Sequence, residues 1–349
     1  MRYSSKWTKY RLYFKRPAGT SRGTLHFKDS WFIQLKNSAT DSYYGIGECG
    51  MLRGLSYDDR PDYEEMLDHL CLALNLGKPL PDLTDFPSIR FGLEMALLDL
   101  QNQGRKILFE GDFTQGKKGI PINGLIWMGS KEDMLCQIEE KIKMEYRCIK
   151  IKIGALNFED EISVIQHIRK HFSSKEITIR LDANGAFEKN EALEKLNRLA
   201  EFEIHSIEQP IRAGLNESLA QLSIDSPIPI ALDESLIPLQ TLAQKSALLH
   251  FIRPQYIILK PSFLGGIEGT EQWIRIAEEL KIHWWITSAL ESNIGLNAIA
   301  QWTGTHNVSL EQGLGTGQLY ENNIPSPLKI KGGQLWSKNN DIWHEHLFA

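Results

Sequence analysis

No stretch of this 349-residue chain is long and apolar enough to span a bilayer, and the mean hydropathy is −0.29, so a membrane protein is not expected. A targeting leader is not expected either. Residues 1–16 carry Arg2, Lys6, Lys9, Arg11, Lys15 and Arg16 but no apolar signal core. Within them Tyr10, Leu12 and Phe14 alternate with Arg11, Tyr13 and Lys15, the pattern of a strand with one solvated face. Cysteine is scarce: Cys49, Cys71, Cys136 and Cys148 form no CxxC pair, and reduced thiols in a cytoplasmic protein are the simplest expectation. Positive charge is not in excess. The formal net charge of −5 argues against nucleic acid as a partner. Basic residues do cluster ahead of Asp29, either as solvated strand faces or as a segment that attracts an anionic substrate. The ten histidines supply no HExxH and no paired ligand spacing. No coiled-coil or other assembly signature is present, so the oligomeric state stays open.

What remains is an ordinary globular composition, 42% hydrophobic and 24% charged, with length for two domains or one large barrel with an addition. The first hundred residues read as a small α+β unit. Strands are expected at 9–15, 31–35 and 43–47, and helices at 63–75 and 89–100, the second opened by Phe86-Pro87-Ser88. From about Gly119 short β-branched runs alternate with amphipathic stretches such as 159–172. Strands are expected at 120–127, 148–153, 177–182, 205–208, 229–233, 256–260, 283–287 and 308–311. Eight such units favour a closed α/β barrel over an open sheet. The boundary falls near residue 115, with a barrel over 116–317 and a tail over 318–349 that packs back on the first unit.

Each middle strand ends where an apolar run meets charge: Lys150-Ile151-Lys152, then Asp182, Glu208, Asp233 and Lys260. Barrel active sites form at the C-terminal strand ends, so these side chains are expected at one mouth. Strand alternation points Lys150 and Lys152 the same way. A lone carboxylate there often caps the next helix, but three acids on successive strands with lysines on both sides are costly to bury without purpose. Three packed carboxylates call for a cation, and hard oxygen donors suit Mg²⁺, with Mn²⁺ as a substitute. A cation on a substrate carboxylate absorbs charge when an α-proton leaves. Lys152 is the expected base, Lys150 its cationic partner, and Lys260 a second acid/base or fixed charge across the mouth.

The series Lys-x-Lys, Asp, Glu, Asp, Lys at successive strand ends resembles the enolase superfamily, in the muconate-lactonizing subgroup. Gly45-Ile46-Gly47-Glu48-Cys49 resembles its capping-domain hairpin. The likeness implies a modified (β/α)8 barrel of (β/α)7β type with an N-terminal α+β capping domain over residues 1–115, completed by 318–349. It also implies Lys152 as base, Lys150 as its electrostatic partner, Asp182, Glu208 and Asp233 as Mg²⁺ ligands, and Lys260 as the second lysine facing substrate. Within the subgroup, Pro121-Ile122-Asn123-Gly124, Ser21-Arg22-Gly23 and Ser288-Ala289-Leu290-Glu291-Ser292 resemble the o-succinylbenzoate synthase family. That likeness implies a small carboxylate substrate, α-proton removal through an enediolate and syn loss of hydroxyl, in menaquinone synthesis. Ser21, Arg22, Asn123, Ser288, Gly313 and Gly315 are the substrate contacts it implies.

Two other readings compete. An isomerase on the same scaffold (an N-acylamino acid racemase, a dipeptide epimerase or a cycloisomerase) would also use two facing lysines. The epimerase is disfavoured, because its Asp-x-Asp pattern is missing from 311–317. A barrel that binds without catalysis would be expected to have lost a lysine or an acid. Gly45-x-Gly47-x-x-Gly50 matches a dinucleotide fingerprint by letter but opens no βαβ unit.

Overall fold

The computed structural model describes residues 3–20, 23–37, 40–338, 343 and 347–348. The chain opens on an antiparallel meander of β1 (Tyr3–Thr20), β2 (Gly23–Asn37) and β3 (Thr40–Cys49), covered by α1 (Tyr63–Leu76) and α2 (Pro87–Gln101). Pro87 sits in the first turn of α2, where its missing N–H costs nothing. The strands run longer than the sequence pattern suggests, because their outer portions are polar and held by cross-strand pairing. Trp31, Ile33 and Leu35 of β2 face the helices, packing with Leu67, Leu70, Ile89 and Leu93. The opposite face is buried too: Phe32 and Ile46 pack with Ile294 and Ile324 from the second half of the chain. Close approach explains the glycines of β3. A Cβ on Gly47 would lie 1.8 Å from the Gly92 carbonyl oxygen, and one on Gly45 would lie 2.0 Å from that of Ala96. The basic N-terminal residues are spent locally. Arg11 Nε lies 2.7 Å from Asp29 across the β1–β2 pair and Lys9 Nζ 3.2 Å from Glu64 of α1, solvent-facing pairs of small energetic weight.

The second half repeats strand and helix. In order it runs β4 (Ile120–Pro121), β5 (Gly124–Ile126), α3 (Lys131–Lys143), β6 (Cys148–Lys152), α4 (Phe158–His171), β7 (Thr178–Asp182) and α5 (Ala192–Ala200). It continues through β8 (Ser206–Glu208), α6 (Asn216–Asp225), β9 (Ile230–Leu232), α7 (Leu242–Ile252), β10 (Tyr256–Leu259), α8 (Pro261–Leu264), α9 (Gly266–Glu279), β11 (His283–Ile286) and α10 (Asn293–Thr303). A final hairpin is made by β12 (Leu328–Lys331) and β13 (Gln334–Ser337). Helix ends follow their capping chemistry: Ser130 and Asn157 cap α3 and α4, and Thr241 with Gln244 forms a capping box on α7. Seven parallel strands are ordered β11-β10-β9-β8-β7-β6-β5. Their apolar side chains join the inner faces of the helices in one continuous core.

Two expected strands come out differently. The run expected at 120–127 is split. Ile120–Pro121 pairs with β13 of the tail, and only Gly124–Ile126 joins the parallel sheet. The strand expected at 308–311 does not form. Gln312 and Gly313 instead make isolated parallel bridges to Ile122 and Thr287, one on each edge of the sheet. Gly313 N donates to the Ile286 carbonyl and Asn123 N to that of Gln312, so this pair of residues closes the barrel in place of an eighth strand. The tail also returns to the meander, with a Phe14–Tyr320 bridge and tilted rings 4.7 Å apart.

Inside the barrel, below the charged strand ends, a buried arginine packs against the cluster of Ala231, Ile258 and Trp285. Arg180, two residues before the end of β7 and 1% exposed, lies 4.1 Å from the Trp285 ring centroid and donates to the Glu311 carbonyl at 2.6 Å. His205 stands beside it, its Nδ1 2.9 Å from Ser206 Oγ and its ring against Tyr256 and Trp285. Burial, then the charges of Arg180 and His283, bring its pKa down from 6.5 to about 4. A depressed histidine pKa contributes stability that is full above the unfolded value and is lost as pH falls through the folded one. Lowering the pH from 7 to 4 should therefore cost the wild type up to about 3 kcal/mol more than His205→Gln. Parallel losses in denaturant melts of the two proteins would refute a neutral buried His205.

Candidate active site

Parallel pairing in register brings the charged strand ends together. Lys152 pairs with Asp182 across β6 and β7, and Asp182 with Glu208 across β7 and β8. Asp233 follows β9 and Lys260 follows β10, so the three acid-bearing strands stand between the two outer lysines. The three carboxylates are at most 2% exposed. Lys150 Nζ lies 2.8 and 2.7 Å from the two Glu208 oxygens and 2.9 Å from Asp182 Oδ2. Lys152 Nζ reaches Asp182 Oδ2 at 3.2 Å and Asn184 Oδ1 at 2.7 Å, with the Trp127 ring centroid 5.8 Å away. Lys260 Nζ bonds Asp233 Oδ2.

The electrostatics follow from burial. Desolvation would raise every carboxyl here, but Lys150 and Lys152 outweigh it at Asp182 and hold that group below the usual range. At Glu208, burial and the Asp182 charge prevail over Lys150 and push the carboxyl well above its usual value. Burial would lower both Lys150 and Lys260, yet the surrounding acids raise them, chiefly Asp182 for the first and Asp233 for the second.

The donor set fits a hard divalent cation: three buried carboxylates from adjacent strands, one of them carrying charge at a penalty that a nearby cation would remove. Among the described residues no three acid, histidine or cysteine side chains stand in finished ligand geometry. Lys150 and Lys260 account for this, since the acids turn to their ammonium groups. Asp182, Glu208 and Asp233 could hold a metal by exchanging those contacts.

Residues with no role assigned by sequence complete the cluster. Asn184 adopts φ 44° and Gln209 φ 40°, left-handed conformations uncommon outside glycine and frequent at functional sites. Asn184 joins Lys152 to Glu234 Oε1, donating to the latter at 3.0 Å. Gln209 Oε1 accepts from Asp233 N and Ser235 N, both at 3.2 Å, and so fixes the turn that carries Asp233. Asn184 and Gln209 lie just past the ends of their strands, and no local pattern marks either, because the atoms they hold belong to other elements.

The substrate contacts implied by family likeness are placed unevenly. Asn123 is 5% exposed, with no hydrogen-bond partner for its Oδ1 among the described residues, and its backbone oxygen lies near Gly315. Ser288 Oγ is 2.5 Å from Thr316 Oγ1. Gly313 spends its backbone groups on closure, donating to Ile286 and accepting from Ser288 N and Thr287 Oγ1. A Cβ there would lie 2.0 Å from Thr287 Oγ1. Ser21 and Arg22 lie outside the described residues.

Residues 133–339 match the family described as enolase C-terminal domain-like. The o-succinylbenzoate synthase of Desulfotalea psychrophila is 47% identical over 93% of this chain and 96% of its own. The crystal structure of MenC from the same organism superposes with a TM-score of 0.85 at 44% identity, covering 96% of this chain and all of that one. The L-Ala-D/L-Glu epimerase of Bacillus subtilis is more distant, 25% identical over 83% of this chain and 81% of its own. Enzymes of this superfamily use a divalent metal, which suits the buried acids. The chain belongs to the enolase superfamily and, within it, to the o-succinylbenzoate synthase family.

Proposed function

We propose that this protein is an o-succinylbenzoate synthase, a Mg²⁺-dependent carbon–oxygen lyase acting on a small carboxylate in menaquinone synthesis. The observation that carries the reading is the placement of Lys152 and Lys260 on either side of three buried carboxylates, in a chain 47% identical to such a synthase. Asp182, Glu208 and Asp233 would hold the cation, with Mn²⁺ able to replace it. When bound, it supplies positive charge against the substrate carboxylate.

The chain's own residues do the rest. Lys152 Nζ, seated on Asn184 and backed by Trp127, takes the proton from the ring carbon beside the carboxylate. The electron pair of the broken C–H bond passes into the ring and displaces the hydroxyl. The proton held on Lys152 joins that hydroxyl, and water leaves. Lys260 holds positive charge on the opposite side and takes no proton in this direction. Asn123, Ser288 and Gly315 would contact the succinyl arm, and Ser21 and Arg22 are proposed as further substrate contacts. Residues 1–115 with 318–349 act as the cap and 116–317 as the barrel, and the cytoplasm is the proposed location. Among the described residues no helix is long and apolar enough to cross a membrane.

A racemase reading stands second, because two lysines on opposite sides would also exchange a proton between two faces of one carbon. Purified protein with Mg²⁺ should aromatise 2-succinyl-6-hydroxy-2,4-cyclohexadiene-1-carboxylate, followed by its absorbance change. Failure of that reaction beside racemisation of an N-succinylamino acid would overturn the lyase in favour of the isomerase.

A further inference from the structure

The cap reaches the mouth of the barrel through one acid that the reaction itself does not use. Because Gly45 and Gly47 press β3 onto α2, alternation turns Ile46 and Glu48 the other way, toward α10. Glu48 is fully buried and accepts four hydrogen bonds. Oε1 takes Ser30 Oγ and Ser292 N, both at 2.8 Å, and Oε2 takes Ser292 Oγ at 2.5 Å and Gly295 N at 2.9 Å. Ser292 is the N-cap of α10, so a carboxylate from the cap satisfies the free amides at the start of a barrel helix. Lys28 is the cation behind it, 3% exposed and bonded to Ser30 Oγ at 3.0 Å.

The loop tied in this way runs from β11 to α10 and contains Ser288. Leu290 within it has φ 63°, a left-handed conformation that a leucine keeps only when its surroundings over-determine it. The surroundings here are specific. Tyr320 donates to the Leu290 carbonyl at 2.7 Å, and the Leu290 side chain packs with Phe14 and Tyr320. Glu291, fully buried, accepts from Ala289 N at 2.6 Å and from Ser262 Oγ at 2.5 Å, which joins this loop to the turn just past Lys260.

We propose that Glu48 is a positioning residue for the reaction: acting from the cap, it holds loop 287–292 in the strained form that presents Ser288 to the substrate. The inference rests on the function proposed above. Glutamine at this position keeps the shape but loses one acceptor end, so its amide group must face either Ser30 and Ser292 N or the Gly295 amide.

The test uses the full chain with Mg²⁺. Losing a buried hydrogen bond of this kind, Glu48→Gln should raise KM for the cyclohexadiene carboxylate at least about tenfold. Its kcat should stay within about threefold, as for a residue that affects binding and not chemistry. Amide exchange should speed up through residues 287–295 and stay unchanged in β6–β9. An unchanged KM, a loss confined to kcat, or faster exchange everywhere would overturn the proposal, since a merely structural glutamate would lower the melting temperature without splitting KM from kcat. Should Glu48→Gln fail to fold, Ser30→Ala removes only the hydroxyl donor to Glu48 Oε1 and its contact with Lys28, leaves the N-cap of α10 intact, and must show the same split in smaller degree. Wild-type protein that turns over none of this substrate refutes the synthase reading alone; the exchange pattern then decides the positioning role.

Discussion

Lys152→Ala is expected to lower kcat by about a thousand- to ten-thousandfold, the upper part of what a positioned base contributes. KM should change little, because the side chain faces the proton and not the carboxylate end of the substrate. The protein should survive the substitution. Asp182 loses Lys152 but keeps Lys150 Nζ at 2.9 Å, so no buried charge is left alone. Asn184 keeps its bond to Glu234. Lys260→Ala provides the control that separates two chemistries. In a one-base dehydration it weakens charge stabilisation but does not alter proton exchange between substrate and solvent deuterium. In a two-base racemisation it abolishes exchange on one face. Steady-state rates and deuterium incorporation measured on both variants would decide; more than a tenth of wild-type kcat in Lys152→Ala would remove it from the role of base.

The second large effect concerns Glu208. Its carboxylate is buried between Asp182 and Asp233 and held by Lys150 through both oxygens. Glu208→Gln removes the charge that its neighbours oppose while keeping a carbonyl for Lys150. In metal-free buffer the variant should therefore melt at or above the wild-type temperature. Metal should part the two proteins. At a hundredfold excess over its dissociation constant a bound ion stabilises the wild type by about 2.7 kcal/mol. With only two carboxylates left, that gain should vanish from the variant, together with its activity. Calorimetry with and without Mg²⁺ reads both outcomes. An equal metal-induced rise in the two proteins would strike Glu208 from the ligand set.

The lysines and acids could be found in the sequence because each stands where an apolar run breaks on a charge, and parallel register then sets those breaks side by side. The closing of the barrel could not. Val308, Leu310 and Glu311 carry a strand-like pattern, yet the residues that bridge the two edges are Gln312 and Gly313, chosen by a close approach to Thr287 that no local pattern records. The same holds at the first barrel strand. Ile120–Pro121 is drawn away by β13, more than two hundred residues later in the chain. Asn184, Gln209 and Glu48 carry no local signal of their tasks. What each does depends on an atom of another strand or of the other half of the molecule.

Arg180 has a consequence for traffic. It lies on β7 one alternation below Asp182, sealed against Trp285 and the Glu311 backbone, and it stoppers the barrel from beneath. Among the described residues that leaves the C-terminal strand ends, beside Trp127 and Leu290, as the side on which substrate would enter and product leave. Exit on that side alone would make turnover sensitive to solvent viscosity, even when proton transfer is fast.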